Sequence, residues 1–366
     1  IRRSAPRPVM APPTPAANRD MSAINIGLVG MGRIGRDLLR ILYDADDVRI
    51  AAIDEPADPD GIEYLIRFDT ILGPFPDELS IRDGHLYVVG RQIPMLDSTS
   101  EGGTPRWSDL GVDIVIEASG QPRTRDELEA HLEQGARQVI LCAPPLEPPY
   151  ITVVIGVNDH DLGPQHRIVS NASCTAHCAA PVLAILEEAF GIERAFVTSV
   201  HAYSNQQRLA DVPTEDPRRG RAAAENLIPR PTNAAEVIGE LMPHLAERIV
   251  GSSICVPVPN GSVVDLVCWH EKPVTETAVN EVVRTAAAAH WQGLVLYEDD
   301  PIVSSDIVGS SYSSTFDSQA TMVMAGRVSK TLSWFDNSWG YAHRVVDLIH
   351  TLSDLDPGEA PGREDV

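Results

Sequence analysis

The sequence has no apolar run approaching the roughly 20 residues needed to cross a bilayer, so a membrane span is not expected. Positive charge is also scarce. Against 52 acidic residues stand 29 Lys and Arg, a formal net charge of −23 that would repel a polyanion and argues against a general nucleic-acid binder. Aromatic residues make up only 5% of the chain. Cysteine is sparse: Cys142, Cys174, Cys178, Cys255 and Cys268 are odd in number and lie in no short, dense framework. That usage fits a reducing cytosol better than a disulfide scaffold, and a cytoplasmic location is expected. There is no internal repeat.

What the chain does have is length enough for two ordinary domains, 366 residues. Its first twenty residues are rich in Pro, Ala and Arg, with Asp20 the only acid. Such a segment buries too little surface to fold, so residues 1–22 are expected to form a disordered extension. A targeting peptide, or a true start at Met21, are alternative readings. The polar stretch 353–366 reads as a disordered tail.

Residues 24–29, INIGLV, read as a buried strand. Gly30, Gly32 and Gly35 follow in GMGRIG and open into the amphipathic run RDLLRILYDA, after which the apolar VRIAAI ends at Asp54 and Glu55. Strand, glycine turn, helix, strand, acid is the order of a dinucleotide-binding unit. Gly30 permits the tight turn, Gly32 lets the backbone approach a pyrophosphate, and Gly35 lets helix and strand pack closely, with the pyrophosphate on the helix N-terminus. Glu55 can hydrogen-bond both hydroxyls of the adenosine ribose and would repel a 2′-phosphate, so NAD is favoured over NADP. Arg33 and Ile34, within the same turn, join the cofactor-binding candidates.

Further strand and helix signals alternate through VDIVIEAS, RTRDELEAHLEQG, QVILCA, TVVIGV and RIVSNA, implying a largely parallel sheet covered on both faces. After residue 173 the pattern changes. A helix from 174 to about 190 leads to the strand RAFVTSVHAYS and a Pro- and Arg-rich loop from 205 to 221. The strands SSICVPVP and SVVDLVCWHE, and a helix near TETAVNEVV, follow. The expected architecture is an α/β Rossmann-type domain over 23–173 and an α+β domain with a mostly antiparallel sheet over 174–337. A C-terminal helix, 338–352, should return to complete the first domain.

In NASCTAHC, two cysteines and a histidine crowd the point where a strand runs into a helix. Cys174 falls at the helix N-terminus, where the dipole and unpaired N–H groups favour thiolate over thiol. His201, at the end of a strand expected alongside, would be its proton acceptor. Two other readings remain open: a zinc site from Cys174, His177, Cys178 and His201, whose spacing matches known zinc patterns poorly, or ordinary core cysteines, the reading preferred for Cys178.

Taken together, SNASCTAHCAAP, GMGRIGR, HAYSNQQRLADVP, RRGRAAAENLIP, VPVPNGSVVDL and WFDNSWGY resemble phosphorylating glyceraldehyde-3-phosphate dehydrogenases, in order, from about residue 24 to about 350. The resemblance implies Cys174 as nucleophile and His201 as base in an aldehyde oxidation that runs through a thiohemiacetal and a thioester to an acyl phosphate. It implies Asn337 as the residue that orients the nicotinamide amide, with Tyr341 nearby, and Ser119 and Gly120 at the turn beside the cofactor. Pro213, like Glu55, fits the NAD-preferring type. It further implies a sugar phosphate and inorganic phosphate as small-molecule partners, and a homotetramer.

The sequence also departs from the pattern it resembles. The anion-binding positions Ser173, Thr175, Ser204 and Thr232 are present, with Ser204 in place of threonine and Asn233 in place of glycine. Cys255 stands where the family has an arginine that serves both phosphate pockets. Arg230 stands where the family usually has a small hydroxyl residue; it is the candidate to replace the missing cation in part, and a solvated or subunit-contact arginine is the alternative reading. His177 replaces asparagine and Ser338 replaces glutamate, both expected to act in packing. A dehydrogenase of a different aldehyde, or a non-catalytic NAD-binding paralogue, are the alternative functions.

Overall fold

A computed structural model describes residues 23–355 apart from 102, 144, 148–150 and 206. The expected extension 1–22 and residues 356–366 lie outside the described residues.

The first sheet has nine strands, in the order Ile151–Thr152, Ile168–Ser170, Gln138–Leu141, Ile114–Glu117, Ile24–Val29, Val48–Asp54, Arg91–Leu96, His85–Val88 and Leu79–Arg82. The first seven run parallel, and the last two are antiparallel additions at one edge. Ile114–Glu117 and Gln138–Leu141 are buried at every position, as parallel strands covered on both faces must be. The helix Arg33–Leu42 packs against the C-terminal helix Trp339–Leu355. Val345, Leu348, Ile349 and Leu352 of the latter share one core with Ile26, Leu28 and Leu38. The C-terminal helix thus packs into the core of the first sheet. It runs three residues further than expected, so 353–355 are helical, because Leu352 still anchors its last turn in the core.

The second sheet has seven strands: Ile228–Arg230, Ile249–Val256, Ile192–Ala202, Ser262–His270, Val328–Phe335, Ser314–Met324 and Val295–Glu298. Four of its six pairings are antiparallel. Strict alternation of burial along Ser262–His270 shows one face covered. The cover is made by the helices Cys174–Phe190, Ala234–Leu241 and Glu276–Ala287, which share a core with Val197, Val264, Leu266 and Phe335.

TVVIGV, expected as a strand, is mostly a turn. Only Ile151–Thr152 pairs with the sheet. The Asn158 side chain accepts from Val154 N–H and donates to the Thr152 carbonyl, both at 2.9 Å, folding the chain back on itself. Local side-chain bonding outcompetes the ladder here.

Candidate active site

Ser173 caps the helix Cys174–Phe190, its hydroxyl accepting the Ala176 N–H at 3.2 Å. This fixes Cys174 as the first helical residue, with the backbone N–H groups of Cys174 and Thr175 facing its sulfur. His201 lies one residue from the end of the long strand beside it, and Cys174 Sγ is 3.6 Å from His201 Nε2. The other ring nitrogen, Nδ1, is 2.6 Å from the carbonyl oxygen of Ala202. A carbonyl oxygen only accepts, so Nδ1 carries the proton and Nε2 is the free acceptor facing the thiol.

Burial sets the resting charges. It pushes the Cys174 thiol up to about 11, against the lowering influence of the Arg230 charge and the N–H groups at the helix start. It pushes His201 down to about 4, with the Ala202 carbonyl opposing and the charges of Arg230 and Arg33 adding to the fall. The thiolate expected from the helix N-terminus is thus not the resting form. Desolvation outweighs the dipole, and the pair rests as thiol and neutral imidazole.

The strand end that bears His201 is tied to the start of the C-terminal helix. Ala202 N–H donates to Ser262 Oγ at 3.0 Å, and that hydroxyl donates in turn to Asn337 Oδ1 at 3.4 Å. Asn260 holds the same segment: its Nδ2 donates to Asp336 at 2.8 Å, and its Oδ1 accepts the N–H groups of Gly261 and Asn337 at 2.8 and 3.2 Å. With Oδ1 engaged by Ser262, the Nδ2 of Asn337 remains to donate elsewhere. Tyr341 is enclosed in the core behind, edge-on to His177 at 6.0 Å. It is a packing neighbour of the site more than a group open to the cleft.

At the glycine turn, Gly30 has φ of 93° and lies so near Ser119 that an added Cβ would sit 2.5 Å from its Cα. A Cβ on Gly35 would meet the Gly30 carbonyl oxygen at 2.1 Å. Around Gly32 the space is open, which suits a pyrophosphate seated on the N-terminus of Arg33–Leu42, with Arg33 and Ile34 in its first turn. Glu55 follows the second strand, its carboxylate accepting the N–H groups of Met31 and Ala57 at 2.6 and 2.9 Å. Ser119 and Gly120 sit at the end of the neighbouring strand, beside Gly30. These residues fit NAD: an open cradle, a free helix start and a carboxylate at the end of the adjacent strand.

The anion-binding candidates come from several elements. Thr175 Oγ1 and Ser199 Oγ are 3.3 Å apart and buried. Ser204 Oγ donates to Gln207 Oε1 at 3.0 Å, and Thr232 Oγ1 accepts the Ala234 N–H at 3.2 Å. Asn233 stands at the N-terminus of the helix Ala234–Leu241 without capping it through its side chain. Cys255 is the register partner of His201, buried and uncharged. Arg230 lies on the edge strand, its Nε donating to Ser253 Oγ at 3.4 Å.

The other members of the NASCTAHC cluster turn away from Cys174. Cys178 donates to Ser314 Oγ and to the Ser333 carbonyl at 3.6 and 3.5 Å, and His177 Nε2 faces the Asn171 carbonyl at 3.1 Å. Among the described residues, no three His, Cys, Asp or Glu side chains are grouped to hold a metal ion. Ser338 Oγ donates to Asp336 at 3.4 Å, and it also bears on the buried carboxyl of Asp37.

Sequence reading missed Ser262, Asn260 and Asp37. A serine and an asparagine inside VPNGSVV carry no spacing signal, because their partners, Ala202 and Asp336, are 60 and 76 residues away.

Residues 24–125 match the family model described as the NAD binding domain of glyceraldehyde 3-phosphate dehydrogenase, and residues 173–337 match the model of its C-terminal domain. Curated relatives include the glyceraldehyde-3-phosphate dehydrogenase of Geobacillus stearothermophilus, 41% identical over 327 residues, covering 89% of this chain and 97% of that one. Glyceraldehyde-3-phosphate dehydrogenase 2 of Streptomyces avermitilis is 43% identical over the same length and shares. The glyceraldehyde-3-phosphate dehydrogenase of Borreliella burgdorferi is 42% identical over 336 residues, 90% of this chain and 99% of that one.

Proposed function

The chain belongs to the glyceraldehyde 3-phosphate dehydrogenase family, an NAD-dependent phosphorylating dehydrogenase acting on glyceraldehyde 3-phosphate, and we propose that Cys174 and His201 carry the reaction. The observation behind this is one geometry: Cys174 Sγ lies 3.6 Å from the nitrogen of His201 that has no proton of its own.

Cys174 passes its proton to His201 Nε2, and the thiolate adds to the aldehyde carbon. The new oxyanion takes the proton back, giving a thiohemiacetal; the N–H groups of Cys174 and Thr175, which bear on the sulfur, would stabilise the developing charge. His201 Nε2 then accepts the hydroxyl proton as the carbon gives up hydride, leaving a thioester on Cys174. NAD, when bound, accepts that hydride. A phosphate oxygen adds to the thioester carbonyl and gives up its proton to solvent, the C–S bond breaks, acyl phosphate leaves, and the departing thiolate of Cys174 takes back the proton held on His201 Nε2, restoring the resting pair.

Gly30, Gly32, Arg33, Ile34, Gly35, Glu55, Ser119, Gly120 and Asn337 would hold the cofactor, with Tyr341 packed behind. Ser173, Thr175, Ser204, Thr232 and Asn233 would surround the two phosphates. The proposed boundary between the cofactor-binding and catalytic domains, at residue 173, is supported by the change there from the strand Ile168–Ser170 of the first sheet to the helix Cys174–Phe190 that covers the second.

A homotetramer is supported by the uncovered face of the second sheet. Val250, Phe196, Val267, Lys330 and Met322 form one register row across five strands, and Val250, Phe196 and Met322 are about half exposed. Light scattering of the purified chain tests the assembly. Among the described residues no helix is long and apolar enough to cross a membrane. A cytoplasmic setting is proposed.

The functional test is NADH formation from glyceraldehyde 3-phosphate, NAD and varied inorganic phosphate, with Cys174→Ser as control. No turnover on this substrate, alongside turnover on another member of an aldehyde panel, would move the substrate assignment; iodoacetamide labelling of Cys174 with no turnover on any aldehyde would point to a non-catalytic role.

A further inference from the structure

The reaction handles two phosphate groups, the ester on the sugar and the attacking inorganic phosphate, and each needs a cation or several donors. The chain has only two lysines, Lys272 and Lys330. Lys330 is bound to Asp265 at 2.6 Å, and Lys272 donates to the Ala189 carbonyl at 3.0 Å. The cation must therefore be an arginine. Two arginine charges act on His201, those of Arg230 and Arg33. Arg33 belongs to the glycine turn, where its Nη1 donates to the Pro259 carbonyl at 3.4 Å.

Strand register places the other. His201 pairs with Cys255 and Cys255 with Ile228; two residues along, Ser199 pairs with Ser253 and Ser253 with Arg230. Alternation along each strand puts Ser199, Ser253 and Arg230 on the same face as His201 and Cys255. That face is the one covered by the Cys174 helix, for Ser199 Oγ meets Thr175 Oγ1 at 3.3 Å. Arg230 Nε donates to Ser253 Oγ, so its side chain runs along the sheet and not off the edge. Among the described residues no carboxylate lies within ion-pair distance of it, which leaves the guanidinium fork available. A cavity of about 550 Å³ opens beside it at the sheet edge, lined by Asp216, Arg218, Arg230, Ser252 and Ser253 among others but by neither Cys174 nor His201, so the placement in the cleft rests on the strand register. Cys255, next to His201, brings no charge of its own.

We propose that Arg230, reaching in from the edge strand, is the cation that holds a phosphate dianion in the catalytic cleft, on the sugar phosphate, on inorganic phosphate, or on both in turn. This rests on the catalytic reading of Cys174 and His201. Its field supports the placement, since it acts on Cys174, His201 and Cys255 alike. A planar guanidinium binds phosphate through paired N–H donors, which a thiol at position 255 cannot do.

The test is steady-state kinetics of Arg230→Gln and Arg230→Lys, varying inorganic phosphate and glyceraldehyde 3-phosphate separately. It is paired with the NADH burst measured without inorganic phosphate, which needs Cys174 and His201 but no release of the acyl group. Arg230→Gln should raise the KM of at least one phosphate species by roughly tenfold to a hundredfold, while the KM for NAD stays within twofold. Arg230→Lys, which keeps the charge without the fork, should give a smaller rise. A rise confined to inorganic phosphate assigns Arg230 to the attacking group, one confined to the sugar phosphate assigns it to the substrate ester, and a rise in both shows a shared role. If both constants stay within twofold in Arg230→Gln, the inference is overturned, while a wild-type burst still upholds the catalytic reading. A wild-type enzyme with no burst would overturn that reading instead. Should Arg230→Gln not fold, Arg230→Lys decides: both constants within twofold overturn the inference, and any larger rise sustains it.

Discussion

His201 donates its Nδ1 proton to the Ala202 carbonyl at 2.6 Å, and this one bond decides which ring nitrogen faces Cys174. The imidazole arrives at the sulfur as an acceptor, fixed in tautomer by the backbone of its own strand. Replacing it with His201→Asn removes the acceptor and keeps a comparable polar volume. The kcat for aldehyde oxidation should fall by roughly 10²–10⁴-fold, with the Kd for NAD little changed. A loss under tenfold would mean that another group takes the proton.

The pH dependence follows from the two shifts. Burial holds Cys174 up to about 11, so the thiolate fraction grows with pH throughout the accessible range. The rate of iodoacetamide labelling should keep rising from pH 7 to pH 10 and not level off near neutrality. His201, pushed down to about 4, stays neutral and able to accept a proton until the solution approaches that pH. A labelling plateau below pH 8 would show a resting thiolate and refute the neutral pair.

Ser262 links the base to the cofactor side through Ala202 and Asn337. Ser262→Ala leaves the buried Ala202 N–H without its acceptor, a loss of roughly 1–3 kcal/mol. It also frees the Asn337 amide to rotate. The expected result is a lower melting temperature and a KM for NAD raised severalfold. Calorimetry and kinetics that both match wild type would show the link to be idle.

Glu55 already accepts two backbone N–H groups beside the glycine turn, so its carboxylate is held in place before any ligand arrives. Glu55→Ala removes the negative charge that would repel a 2′-phosphate. The ratio of kcat/KM for NAD to that for NADP should drop by about tenfold or more, in line with the 1.5–3 kcal/mol typical of hydrogen bonds to charged groups. An unchanged ratio would place discrimination elsewhere.

Asp37 is buried in the helix after the glycine turn, and desolvation raises its carboxyl to about 7, with Asp336 adding and Ser338 opposing. A carboxyl whose folded pKa lies above its unfolded value gives stability that is full below about 3.8 and is lost as pH rises through 7. Asp37→Asn should therefore stabilise the fold at pH 8 by an amount on the order of 1–3 kcal/mol, read as a higher melting temperature, and the gap should close toward pH 4. Melting curves whose difference stays constant across that range would exclude a titrating Asp37.

Much of this was legible in the chain because it is local. GMGRIG sits between an apolar strand and an amphipathic helix, and in the fold Gly30 and Gly35 meet in one turn with the Glu55 carboxylate beside it, as that order requires. Cys174 at a helix start and His201 at a strand end were likewise readable. TVVIGV misled because a single asparagine, Asn158, folds the segment into a turn that hydropathy does not register. The resting thiolate misled for another reason: a helix N-terminus is written in the sequence, but the depth at which the sulfur is buried is not.

By itself the sequence determined the strand–turn–helix punctuation, the candidacy of a helix-start cysteine and a strand-end histidine as nucleophile and base, and the absence of the expected cation at position 255. Each depends on residue type and near neighbours. Only the tertiary structure decided that Arg230 shares a face with His201, that Ser262 ties Ala202 to Asn337, and that the Cys174 proton is held. Those facts depend on strand register and on burial, which arise when segments far apart in sequence pack together and exclude water.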